Sequence, residues 1–288
     1  MSKLQEHYKE GTELIIEMMK NNGKDWAKGW TSSIGVPVNA KTLKPYQGFN
    51  VIWLMKERKT SAKWGTFLAW KDLGRQVAKG EKGTLVTYFK PLSEDEKIIK
   101  KTEWGFVLKY SKVFNESQLV GYEVPLKEET KSFDNKIVED FIINTQAKVS
   151  HGSASAFYRP STDEISMPNK SDFIDSKNST AEINYYSTLC HELTHWTGAQ
   201  KRLDRNFTKK ETRKEYAFEE LVAELGSVFL GMALGFEPVP RDDHAKYLNN
   251  WLEILQSDNK FIFQASSKAT QAVNFLYNLQ ENAQKKTA

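Results

Sequence analysis

The sequence predicts an α+β protein of two domains, an α+β front and a mainly helical rear that carries a small sheet. Three observations lead there. The 288 residues leave room for two domains of ordinary size, and 39% hydrophobic against 27% charged residues is the mix of a chain that buries a core. Six of the eight tryptophans lie within the first 104 residues. Residues 20–91 hold 14 Lys and Arg against 4 Asp and Glu, a net of +10 in a chain whose total is +4, so the remainder sums to −6. Between these unlike halves, Pro125 to Asp134 loses hydrophobic periodicity and gathers charge, which places the boundary between residues 128 and 129.

The front opens with Leu4, Tyr8, Ile15, Met18 and Met19 at helical spacing, closed by Asn21-Asn22-Gly23 as a glycine cap. After a loop rich in Gly and Pro, Tyr46 to Asn50 leads into Val51 to Lys56. Thr66 can cap a helix carrying Phe67, Trp70, Leu73 and Val77. Lys79-Gly80-Glu81-Lys82-Gly83 reads as a turn before a strand at 84–89, with further strands expected at Gly105 to Phe114 and Leu119 to Val124. In the rear, Ile137 to Ile143 reads as helix, and 156–159 and 164–167 flank Pro160-Ser161-Thr162-Asp163 as a hairpin. Ser179-x-x-Glu182 and Thr212-x-x-Glu215 both fit the capping box, in which each side chain satisfies the other residue's amide, and mark helices of about 179–197 and 212–234. Two more helices are expected at 242–256 and 266–283.

Several classes are excluded. The charge-free run from Leu225 to Phe236 is far shorter than the roughly 20 residues of a membrane span. The first twenty residues are charged, without the apolar core of a secretory signal, and the single cysteine, Cys190, rules out an internal disulfide framework. A cytoplasmic protein is expected, with Cys190 as a buried packing residue.

The rear carries the chemistry. His191-Glu192-Leu193-Thr194-His195 sits inside an expected helix, where residues four apart share a face, so two imidazoles point the same way. That spacing suits zinc, with Glu192 beside the metal and placed as general base toward a zinc-activated water. The next helix offers Glu219-Glu220-Leu221-Val222-Ala223-Glu224. Glu220 and Glu224, four apart, fit the gluzincin pattern of a third ligand followed by an acid behind a metal-bound histidine. Glu219, on another face, competes as the third ligand. Such a site serves attack on a peptide carbonyl, and the strand at 164–167 offers an edge for an extended peptide. Tyr216, His244 and His151 are candidates to stabilise the developing oxyanion.

In the front, basic residues interleave with Trp53, Trp64, Trp70, Tyr88 and Phe89, supplying cations for phosphates and flat rings for unpaired bases, the needs of a single-strand binder. A tryptophan-rich core under a solvated basic face has the same composition. Lys79 and Lys82, with the amides of Gly80 and Gly83, can cradle a phosphate, and a plain hairpin turn uses the same letters.

Tyr46-x-Gly48-x-Asn50, Trp64-x-Thr66-Phe67 and the run Gly74-x-x-Val77-x-Lys79-Gly80-Glu81-Lys82-Gly83-Thr84 resemble the N-terminal domain of the ArdC antirestriction proteins. Ile165-x-Met167-Pro168, Tyr185 to Gly198 and Tyr216-Ala217-x-Glu219 to Glu224 are similar to the zincin-like metallopeptidase domain of the same family. The resemblance implies an ssDNA-binding front (1–128) joined to a zinc metallopeptidase domain (129–288), carried by plasmids and other mobile elements. Its metal ligands are then His191, His195 and Glu220 around one Zn2+, with Glu192 as the catalytic acid/base and Glu224 behind a ligand. The implied role is to protect incoming single-stranded DNA from host restriction. The alternative is a non-catalytic ssDNA-binding protein whose metal site is structural.

Overall fold

The computed structural model describes residues 3–23, 26–27, 34–91, 93, 106–124, 134–176, 179–205, 212–237 and 245–287. The front contains α1 (Lys3–Asn22), β1 (Val38–Asn39), α2 (Phe49–Met55), β2 (Lys63–Thr66), α3 (Phe67–Asp72), β3 (Thr84–Pro91) and β4 (Phe106–Asn115). The rear contains α4 (Asn135–Thr145), β5 (Lys148–His151), β6 (Phe157–Arg159), β7 (Glu164–Met167), α5 (Ala181–Thr197), α6 (Arg213–Ala233), α7 (Ala245–Ser257) and α8 (Phe261–Thr287). This is the expected α+β, two-domain layout with a mainly helical rear. Residues 125–133, and with them the boundary at 128 and 129, lie outside the described residues, as do Trp30, Trp104, Gly105 and His244.

The front sheet runs in the order β1-β2-β4-β3. β1 is parallel to β2, β2 is antiparallel to β4 with Trp64 opposite Asn115, and β3 pairs with β4 from Thr84↔Val113 to Pro91↔Phe106. β3 is an edge, and Asn50 covers it: its amide nitrogen donates to the Thr87 carbonyl at 2.6 Å and its oxygen accepts from the Thr87 amide at 3.0 Å, as a neighbouring strand would. Thr66 caps α3 as expected, accepting from the Ala69 amide at 3.1 Å.

Two expectations for the front fail on glycines. α3 stops before Leu73 because Gly74 turns at φ +70°, and Val77 forms a single bridging pair with Leu119 instead of extending the helix. The strand expected at 119–124 is absent beyond that pair, since Gly121 turns at φ +71° and leaves Val120 and Val124 exposed.

In the rear, the 156–159 and 164–167 hairpin forms, but β5, unforeseen, pairs parallel to β7 and makes the order β5-β7-β6. β7 is therefore central, and 164–167 has no edge to offer a peptide. The cap of α5 is Thr180, which accepts from the Ile183 amide at 3.3 Å. Ser179 is drawn into a pair with Ser176, and Glu182 accepts from Asn135, so the expected box at 179–182 does not form. The Thr212–Glu215 box does.

The two domains share one apolar core. Ile15, Met19, Phe49, Ile52 and Met55 of the front are buried in one cluster with Leu189, Leu193, Leu221, Leu225, Phe261 and Ala269 of the rear. α1 packs on α7 and α2 on α8. Gly48 donates to the Thr270 hydroxyl at 2.8 Å, and Thr12 to the Asn259 carbonyl at 3.0 Å. Trp251 is buried against α6, its indole donating to the Ala217 carbonyl at 2.8 Å.

α5 and α6 approach closely where Gly226 faces Thr194. A Cβ at Gly226 would lie 2.5 Å from both Cγ2 and Oγ1 of Thr194, whose hydroxyl is already committed to the Cys190 carbonyl at 2.8 Å. The helices must separate to admit a methyl group. Gly226→Ala is therefore expected to destabilise the protein by about 1–3 kcal/mol despite its better helix propensity, read by urea unfolding with an unchanged slope.

Candidate metal centre

The contact between α5 and α6 brings His191, Glu192 and His195 of one helix against Glu219, Glu220 and Glu224 of the other, all buried. Nε2 of His191 and Nε2 of His195 lie 3.1 Å apart. Glu220 faces both, its Oε2 3.7 Å from the first and its Oε1 3.6 Å from the second. A tetrahedral ion with donors at about 2.0–2.1 Å holds them roughly 3.3–3.4 Å apart, so these three side chains fit a divalent metal. Their donor atoms lie within 4.8 Å of one another, and they are the group of this kind found among the described residues.

The other nitrogen of His195 meets a carboxylate within hydrogen-bond reach, the arrangement that orients metal-binding histidines, and that of His191 faces one at longer range. Glu224 Oε2 lies 3.8 Å from Nδ1 of His191. Glu219 Oε1 lies 3.1 Å from Nδ1 of His195, away from the Nε2 atoms, which removes it as the competing third ligand. Arg205 holds Glu219 with two donors, Nε to Oε2 at 3.0 Å and Nη2 to Oε1 at 2.9 Å. Burial alone would push the Glu219 carboxyl up, but the hydrogen bonds from His195 and Arg205 and the guanidinium charge outweigh it and hold the pKa down. Burial alone would lower the pKa of His195, and here the Glu219 hydrogen bond with the charges of Glu220, Glu219 and Glu192 raises it. Glu192 is 2% exposed.

Of the oxyanion candidates, Tyr216 is at the site. Burial, the hydrogen bond with Tyr247 and the charge of Glu220 together push its phenol up, while the side chain stays 43% exposed at 2.9 Å from the Tyr247 hydroxyl. His151 is engaged elsewhere, its Nε2 2.8 Å from the Tyr185 hydroxyl. Cys190 is fully buried, and burial pushes its thiol up, in keeping with a packing role. Arg205 and Tyr247 were missed in the sequence. Neither has a motif or periodic neighbour that marks it, whereas Glu219 was visible in the Glu-Glu pair but not its orientation.

The front residues named for DNA divide differently. Trp64 and Trp70 are each 2% exposed, and the Trp70 indole donates to the Phe114 carbonyl at 2.9 Å, so neither has a ring face open to a base. Trp53 is half-buried against His7 and Phe49 with the Lys56 ammonium 4.0 Å above its ring. Lys79 and Lys82 are exposed, and Gln118 ties down their turn by donating to Glu81 Oε2 at 2.7 Å and the Lys82 carbonyl at 3.0 Å. Among the described side chains of the front sheet region, which do not include Phe89, Phe67 (52%) and Tyr88 (49%) are the open aromatic rings.

Fold and site together define a front domain of antirestriction type joined to a zincin-like metallopeptidase domain. Residues 5–114 match the N-terminal domain of anti-restriction factor ArdC, and residues 136–268 match a zincin-like metallopeptidase family. Crystal structures of the antirestriction ArdC protein from the R388 plasmid, metal-free and Mn(II)-bound, superpose with TM-scores of 0.75 and 0.74 at 34% identity, over 96% of this chain and 98% and 97% of theirs. The uncharacterized protein y4eC of Sinorhizobium fredii (strain NBRC 101917 / NGR234) is 34% identical over 96% of this chain and 94% of its own length. A DNA primase TraC of Escherichia coli is 35% identical over 92% of this chain, which spans only 26% of that primase. The chain belongs to the ArdC family of antirestriction proteins. No helix among the described residues is long and apolar enough to cross a membrane.

If the three donors hold a metal, it stabilises the folded chain by mass action. Zn2+ at a hundredfold excess over its Kd is expected to add about 2.7 kcal/mol, seen as a higher melting temperature by calorimetry and reversed by chelator. His191→Ala and Glu220→Ala should abolish the rise.

Proposed function

We propose that this chain is an antirestriction protein of a mobile element, binding single-stranded DNA through its front and carrying a zinc metallopeptidase site in its rear. The observation that carries the peptidase reading is the convergence of His191, His195 and Glu220 on one point, with Glu192 buried beside them. In this reading those three residues hold one zinc ion, while Glu224 and Glu219 brace the imidazoles. Bound there, zinc would polarise a peptide carbonyl and acidify a water molecule. Glu192 takes the proton of the attacking water and returns it to the leaving amine. Tyr216, exposed and beside Glu220, is placed to donate to the carbonyl oxygen as charge develops on it.

The division at residues 128 and 129 falls between the matched segments 5–114 and 136–268, which supports it as the limit of two functional units. For DNA, the net +10 of residues 20–91 supplies the phosphate attraction. Of the rings that interleave with the basic residues, Tyr88 keeps the stacking role, and Phe67 joins it in place of the buried Trp64 and Trp70. Family membership supports, together with these two sites, a role in protecting incoming DNA in the cytoplasm.

Glu192→Gln removes the base without changing the ligands. It is expected to keep the metal content and single-strand affinity of the wild type, measured by elemental analysis and gel shift, and to lose hydrolysis of any substrate by at least a hundredfold. Full antirestriction by this variant in cells would instead favour a structural metal site. Tyr88→Ala or Phe67→Ala should weaken single-strand binding by about 1–3 kcal/mol per lost stack, with the melting temperature little changed. Trp64→Ala should lower the melting temperature by creating a cavity.

A further inference from the structure

We infer that Arg205 and Glu219 are a positioning pair that presets His195 as the Nδ1–H tautomer, leaving its Nε2 lone pair aimed at His191 and Glu220; this rests on the metal-centre reading above. The pair is assembled from three elements. After α5 ends, the chain folds back on itself, with Leu203 donating to the Thr197 carbonyl at 3.0 Å and Arg205 to the Gly198 carbonyl at 2.9 Å. That turn lays the Arg205 side chain, 4% exposed, along the last turn of α5.

Its guanidinium commits four of its five N–H donors. Nη1 donates to the Thr197 hydroxyl at 2.8 Å, Nη2 to the Thr194 carbonyl at 2.6 Å, and Nε and Nη2 grip both oxygens of Glu219. A cation at a helix C-terminus, satisfying a carbonyl of the final turn, is favourable in itself. A purely structural strut between α5 and α6 would stop there. Glu219 Oε1 does more, because it also lies 3.1 Å from Nδ1 of His195. Both Glu219 oxygens already accept from Arg205, so the carboxylate is the acceptor in this contact as well and Nδ1 of His195 is the donor. The imidazole is thereby held in both orientation and tautomer before any metal arrives. Lysine cannot replace Arg205, because a single ammonium lacks the planar fork that meets Glu219 and the helix end together.

The test begins with the unmodified protein. Long-range 1H–15N NMR on the metal-free wild type at pH 8, with His195 assigned by comparison with His195→Gln, should show a proton on Nδ1 and none on Nε2. The neutral Nε2–H tautomer, or a doubly protonated ring, overturns the inference. Zn2+ titration by calorimetry then compares Glu219→Gln and Arg205→Lys with wild type, each checked for folding by circular dichroism. Affinity ten- to a hundredfold weaker is expected, and wild-type affinity in both folded variants overturns it. Should a variant not fold, the wild-type tautomer decides. Should the wild type take up no Zn2+, the metal-centre reading fails, and the tautomer of His195 still reports on the pair separately.

Discussion

The close contact of α5 with α6 is the constraint on which the rest of the molecule depends. It sets four carboxylates, Glu192, Glu219, Glu220 and Glu224, and two imidazoles into a buried seam, with Arg205 as the guanidinium among them. Buried charge is tolerated only when it is paired and hydrogen-bonded. Arg205 answers for Glu219, and a divalent cation between His191, His195 and Glu220 would answer for much of what remains. Gly226 against Thr194 lets the two helices come near enough for the six groups to meet. The same seam thus explains a glycine in a helix interior, an arginine turned back onto a helix end, and the fit to a metal.

Around that seam the protein builds a single core that ignores the sequence boundary. α1 and α2 belong to the front by composition, yet their apolar faces are buried with α7 and α8. The four-stranded sheet, with Trp64 and Trp70 in two smaller clusters, packs apolar side chains of its own apart from this core. Packing of α2 on both α8 and β3 therefore ties the front sheet to that core.

The long helices were legible in the sequence because periodicity and caps repeat over many residues, and the His191–His195 pair because residues four apart must share a helical face. The strands β1, β2 and β5 were not, although the short hairpin of β6 and β7 was, because its Pro-Ser-Thr-Asp turn marks it. β1 has two residues and β5 only Val149 as an apolar anchor, so neither alternates long enough to register. Composition could not separate a stacking tryptophan from a core one, and Trp64 and Trp70 went to the core because β2 and α3 fold over them. The edge role of 164–167 was misread because it depends on β5, which pairs from outside the hairpin. Arg205 escaped notice because its role exists only once a turn, a helix end and a second helix have met.

X-ray absorption at the zinc edge of the loaded protein would read the donor set of His191, His195 and Glu220 directly. Two imidazole nitrogens and carboxylate oxygen are expected at about 2.0–2.1 Å, with no sulfur. A shell with a Zn–S distance near 2.3 Å, or one without imidazole scattering, would place the metal elsewhere and contradict that donor set.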